Sequence, residues 1–141
     1  MAVARMVGML AVTGVVGMAT LVGNLTGCAR TSPPPEVSEL TYSGPPISLE
    51  LVADSHIVVV HTPTGGWKAH VDRVTEGYKF QGVYVSLTMP NPAFSYAPTP
   101  VEQRLASNVL AIEPVKVFAR VVDFKGESIT DRAYSFAAQS K

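Results

Sequence analysis

Apolar residues are distributed along this chain in two different ways. From Met6 to Val22 they form one run without a charged residue, relieved only by small residues such as Gly8, Gly14 and Gly17. From Ile47 onward they come in short segments, many of which alternate apolar with polar positions. Such alternation places one face of a strand in a core and the other in solvent. Ile47-Ser48-Leu49-Glu50-Leu51 predicts a half-buried strand, and the continuous β-branched run Ile57 to Val60 predicts a more deeply buried one. Trp67, Ala69 and Val71 alternate with Lys68, His70 and Asp72, a third strand with the tryptophan facing inward.

A long strand is expected from Tyr78 to Met89, with its alternation slipping by one at Gly82. A bulge at that glycine restores the facing. Val115, Val117 and Ala119 alternate with Lys116, Phe118 and Arg120, and Ile129 to Ala137 reads as the last strand after a loop at Asp123 to Glu127. Val101 to Ile112 fits two patterns. Val101, Leu105, Val109 and Ile112 make a helical stripe, while Ser107-Asn108 could be a turn between two short strands; the surrounding strands favour the second reading.

Between these segments lie turn signals: Asp54-Ser55, Thr62 to Gly66, Glu76-Gly77, and the proline-rich stretch from Met89 to Pro100. Short strands separated by glycine and proline predict an all-β fold, a small immunoglobulin-like antiparallel β-sandwich or open barrel. The expected organisation is a leader over 1–27, a proline-rich tether over 28–39 and one domain over 40–141.

Charge narrows the partners. The chain of 141 residues carries 11 basic and 11 acidic side chains, so no basic excess exists to neutralise a phosphate backbone, and nucleic acid is not expected. The single cysteine cannot form an internal disulfide. Its position is informative instead.

Met1 to Arg5 carries one positive charge and precedes the apolar run, the layout of a secretory signal. The run ends at Leu25-Thr26-Gly27-Cys28, which resembles the bacterial lipobox. That resemblance implies a diacylglycerol group on the Cys28 thiol, cleavage just before Cys28, and usually a third acyl chain on its amine. Two or three chains, each gaining about 0.8 kcal/mol per buried methylene, hold a protein at a membrane essentially permanently. The alternative is an uncleaved transmembrane helix over Met6 to Ala29, which is nearly long enough to span a bilayer. Ala29 follows the cysteine; in a host with an outer membrane the usual sorting pattern sends such a lipoprotein there, and otherwise it stays on the outer face of the cell membrane. Arg30 to Ser38, with Pro33-Pro34-Pro35, then predicts a semi-rigid extended spacer, rising about 3.1 Å per residue.

Catalytic patterns are scarce. His56 and His61 leave opposite faces of an extended run, and neither they nor His70 has a carboxylate or cysteine at ligand spacing, so no metal or other cofactor is expected. Asp54-Ser55-His56 has the residue types of a hydrolytic triad, but neighbours in sequence cannot converge on one another. No nucleophile elbow, phosphate-cradling loop or close carboxylate pair is present. The expectation is a non-enzymatic protein, with a small hydrolase of unrecognised site as the last alternative.

Two loops carry the features of a binding surface. Pro63-Thr64-Gly65-Gly66 is a rigid turn beside Trp67, and Phe94 and Tyr96 stand in a proline-stiffened loop. Preorganised aromatic anchors lose little freedom on binding. The opposing expectation is that Phe94 and Tyr96 fold back as a lid over the end of the sandwich.

The run Val58-Val59-Val60-His61-Thr62-Pro63-Thr64-Gly65-Gly66-Trp67 is similar to a pattern in PrcB-type protease-complex domains, where a β-branched strand enters a Pro-Thr-Gly-Gly-aromatic turn. Val83 to Leu87, Pro90 and Pro92, and Pro114 to Val117 would be the later matches. The turn also resembles the first binding loop of chagasin-type cysteine-protease inhibitors, an immunoglobulin-like fold. Their Gly-x-Gly-Gly and Arg-Pro-Trp loops do not occur here. The resemblance implies a β-sandwich and, as a narrower alternative, a peptidase inhibitor or protease-complex subunit acting through Thr62 to Trp67.

Overall fold

A computed structural model describes residues 33–125 and 133–141. The leader, Cys28 and the tether through Ser32 lie outside the described residues, as do residues 126–132, with the end of the Asp123–Glu127 loop and the expected start of the last strand at Ile129. Every regular element within them is a strand: β1 Val37–Ser38, β2 Ile47–Val52, β3 Ser55–Thr62, β4 Lys68–Glu76, β5 Gln81–Thr88, β6 Val101–Leu110, β7 Val115–Val122 and β8 Tyr134–Gln139. They form two sheets, ordered β1-β8-β7-β5-β4 and β2-β3-β6, packed as a sandwich. The larger sheet is mixed rather than wholly antiparallel, because β5 runs parallel to β7 and β1 parallel to β8. The cause is the chain path: β6, lying between β5 and β7 in sequence, belongs to the opposite sheet.

The alternation read from the sequence sets the core. Val58 and Val60 of β3 face Val83, Val85 and Leu87 of β5 and Val115, Val117 and Ala119 of β7, all essentially without solvent contact. Each such valine or leucine contributes about 1.5–3 kcal/mol by leaving water. Trp67, Ala69 and Val71 pack at the margin of this cluster.

β5 is buried on both faces, which the alternation pattern alone does not reveal. On its outer face Tyr84 stacks on Phe118 with ring centroids 5.2 Å apart and meets Tyr134 edge-on at 5.1 Å. Residues 33–36 are tied to this sheet at two points: Arg73 Nη1 of β4 donates to the Pro33 carbonyl at 3.1 Å, and the Tyr134 N–H of β8 donates to the Glu36 carbonyl at 2.9 Å. Val37 and Ser38 then pair with Tyr134 and Ser135. The segment from Pro33 to Ser38, read as free spacer, is held to the sheet by these backbone contacts.

Four local expectations change. No bulge occurs at Gly82, which pairs regularly with Thr75. Tyr78 to Phe80 turn rather than extend the strand, and Tyr78 is fully solvated. The glycine serves a different purpose: a Cβ there would come within 3.2 Å of the Tyr84 ring. The bulge lies across the ladder in β4, at Asp72, between Val71 and Arg73. Val101 to Leu110 is one strand, with Asn108 at φ 58° and the ladder slipping opposite Ser55 and Ile57. Asparagine tolerates this left-handed conformation better than most residues, and the Ser107 hydroxyl patches the slip by donating to the His56 carbonyl at 2.5 Å. The last strand begins at Tyr134 and runs to Gln139, two residues past the expected end at Ala137.

Candidate binding groove

The loops named from sequence meet at one end of the sandwich. Thr62, buried at the end of β3, donates its hydroxyl to the Val101 carbonyl at 2.9 Å and so ties the entrance of the turn to the start of β6. Pro63 and Gly65 stand in solvent at the tip, while Thr64 and Gly66 are half-buried. Thr64 Oγ1 is enclosed and has no hydrogen-bond partner among the described residues.

Gly66 touches the second loop. A Cβ added to it would lie 2.8 Å from ring atoms of Tyr96 and from the Pro90 Cβ, so only glycine permits this approach. Beyond Gly66, Trp67 enters the sandwich margin, and Gln103 of β6 holds it there. The Gln103 amide donates from Nε2 to the Trp67 carbonyl at 2.9 Å and accepts the Ala69 N–H at 3.0 Å through Oε1.

The second loop splits the two aromatic anchors. Tyr96 folds back against Gly66 and keeps 37% of its surface exposed, whereas Phe94 projects, 65% exposed. Asn91 shapes the bend: its side-chain Oδ1 accepts the Ala93 N–H at 2.9 Å, and its carbonyl accepts the Phe94 N–H at 3.1 Å. The two aromatic side chains of this loop differ: Tyr96 lies against the first loop and Phe94 in solvent.

Beside these loops runs a groove of about 820 Å³. Its walls are largely apolar, with Trp67 and Met89 facing Pro45, Pro46, Pro63 and Pro100. His61 and Glu102 form its polar rim. Of the residues singled out in the sequence, Pro63 and Trp67 line it; Thr64, Gly65, Gly66, Phe94 and Tyr96 do not. Met89, Pro100 and the Pro45-Pro46 pair were not singled out. Prolines beside strand ends are a usable signal, but their convergence requires the sheet topology.

The histidines have separate fates. His56 is buried, and its Nε2 donates to the Glu113 carbonyl at 3.0 Å. His61 lies on the outer face of the smaller sheet, its Nε2 3.1 Å from Ser48 Oγ. His70 Nε2 is 2.9 Å from Asp72 Oδ1. No group of three metal-ligating side chains occurs among the described residues.

Asp72, the extra residue of the β4 bulge, anchors a second polar cluster on the outer sheet face. Oδ2 accepts the Ser86 hydroxyl at 2.5 Å and the Tyr134 hydroxyl at 2.7 Å. Arg120 donates from Nε to Ser86 Oγ at 2.8 Å and lies over the Tyr134 ring. Burial, then the Asp72 hydrogen bond and charge, push the Tyr134 hydroxyl above its usual titration range. Each hydroxyl here is engaged by another member, so the cluster fastens β4, β5, β7 and β8 together rather than offering a site.

No protein-family model, curated protein or solved structure matches this chain.

Proposed function

We propose that this protein is an envelope lipoprotein, held at a membrane through lipid on Cys28, whose β-sandwich binds a protein partner at the loop end. The observation that carries the binding role is the convergence of two sequence-distant loops, Thr62 to Trp67 and Met89 to Pro100, on one largely apolar groove. Proline and the Gly66–Tyr96 contact hold these loops before any partner arrives, which reduces the ordering cost of association. The leader and the lipobox-like tetrapeptide support the anchored location.

The narrower reading is a peptidase inhibitor or protease-complex subunit. The exposure of Pro63 and Gly65 at the tip of the turn favours it, since a wedge entering a cleft needs a protruding tip.

A photo-crosslinking residue placed at Phe94 in the full-length chain, compared with one at Tyr78 at the opposite end, tests the binding role. A discrete crosslinked species from Phe94, absent from Tyr78 and reduced by Met89→Arg, is expected. Equal or absent crosslinking at both ends would remove the loop end as the binding surface.

A further inference from the structure

The outer face of the smaller sheet carries a line of three side chains, of which His61 and Glu102 also rim the groove. Ser48 of β2, His61 of β3 and Glu102 of β6 are neighbours because the ladders pair Ser48 with Val59 and His61 with Glu102. Ser48 Oγ lies 3.1 Å from His61 Nε2, and Glu102 Oε1 lies 3.4 Å from His61 Nδ1. The histidine therefore stands between a hydroxyl and a carboxylate, one on each ring nitrogen. Glu102 stands near Nδ1 without a hydrogen bond to it; with the ring hydrogen on Nδ1, Nε2 is free to take the proton of Ser48. This is the order of groups that activates a serine for acyl transfer.

The backbone supplies a fourth group. The His61 N–H donates to the Pro46 carbonyl at 2.9 Å, which sets the phase of the β2–β3 ladder. Hydrogen-bonded pairs then fall at Pro46/His61, Ser48/Val59 and Glu50/Ile57, so the Leu49 N–H points away from β3. β2 is the terminal strand of its sheet, so that N–H faces the open edge. A donor on the residue after the nucleophile is well placed to meet an oxygen that gains negative charge. The apolar groove begins at the same His61 and Glu102.

We propose that Ser48 is a nucleophile toward carboxylic esters with an apolar acyl group, with His61 as its base and Glu102 positioning the imidazole. Ser48 Oγ bonds to the ester carbonyl carbon as His61 Nε2 takes the hydroxyl proton. The carbonyl oxygen carries the negative charge beside the Leu49 N–H. When the carbonyl re-forms, the C–O bond to the alcohol breaks and His61 returns the proton to the leaving oxygen. Water, deprotonated by His61, then attacks the acyl-serine; the acid leaves and Ser48 Oγ regains its proton. The sum is ester plus water to acid plus alcohol. This activity goes beyond the binding role and stands or falls apart from it.

The test is labelling of the purified full-length protein by a fluorophosphonate, read residue by residue through peptide mass mapping. Ser43, a solvent-exposed serine outside the line, serves as the internal reference. Ser48 is expected to label at least about 100-fold faster than Ser43, and His61→Ala to remove most of that advantage, in keeping with the contribution of a positioned base. Glu102→Gln is expected to slow labelling about tenfold while leaving the residue modified unchanged, the mark of a positioning group. All three side chains are on the sheet surface, so the variants are compared only after their thermal unfolding is matched to the parent's. Ser48 labelling no faster than Ser43, or labelling that persists undiminished in a folded His61→Ala protein, would overturn the proposal.

Discussion

Gly66 lies directly beneath the ring of Tyr96: a single methyl on the glycine would come within 2.8 Å of two ring carbons. The two loops of the groove are thus registered by an absent side chain. Gly66→Ala is expected to push Tyr96 and Pro90 outward and to cost about 1–3 kcal/mol, the range for overpacking. Denaturant unfolding measures the cost. Amide shifts confined to residues 89–100 would locate the change in the second loop.

The β2–β3 turn has the opposite fault. Ala53 occupies a left-handed conformation, φ 53°, in a two-residue connection between paired Val52 and Ser55. That conformation costs a non-glycine residue roughly 1–2 kcal/mol, whereas glycine's extra freedom in the unfolded chain costs about 0.4–1 kcal/mol. Ala53→Gly is therefore expected to stabilise the domain slightly, by up to about 1 kcal/mol, in the same unfolding measurement. A loss of stability would contradict the strained turn.

Removing the Asp72 carboxylate leaves the hydroxyls of Ser86 and Tyr134 without their acceptor in a layer that is nearly closed to water. Asp72→Ala is expected to lower stability by about 1–3 kcal/mol, the cost of orphaned buried polar groups. His70→Ala, which removes only an exposed partner of the same carboxylate, should change it by less than about 1 kcal/mol. Equal effects would mean that the network does not fasten the sheet.

Two tyrosines give the protein an alkaline limit. Burial raises the hydroxyl of Tyr42, which donates to the Pro45 carbonyl, and burial with Asp72 raises that of Tyr134. Because the folded state holds these protons more tightly, their contribution is complete below the unfolded tyrosine value of about 10 and is lost as pH rises through the raised folded values. Unfolding free energy should therefore fall above about pH 10. Tyr134→Phe, with no proton to lose, should show a shallower fall, and an unchanged slope would count against the Asp72 contact.

How far this could be read from residues alone varies with the kind of information needed. The inward valines of β3, β5 and β7 were legible because period-two alternation and β-branching act locally. The turn at Thr62 to Gly66 was legible for the same reason. The docked segment from Pro33 to Ser38 was not, since its prolines specify an extended chain whether or not a surface receives it. The bulge was assigned to Gly82 because glycine is its usual marker, yet the extra residue is Asp72, where the carboxylate gains two hydroxyl partners. The line Ser48–His61–Glu102 was out of reach because it joins three strands, and only the register reveals it.

The location proposed for this protein depends on whether the chain is held at a membrane through Cys28. Intact mass of the protein purified from membranes, measured beside Cys28→Ala, tests this directly. The expected mass is that of residues 28–141 plus acyl chains, and the acyl increment should vanish on substitution. A mass equal to the full 141 residues, unchanged apart from the substitution itself in Cys28→Ala, would contradict the lipid anchor and make Met6 to Ala29 an uncleaved segment.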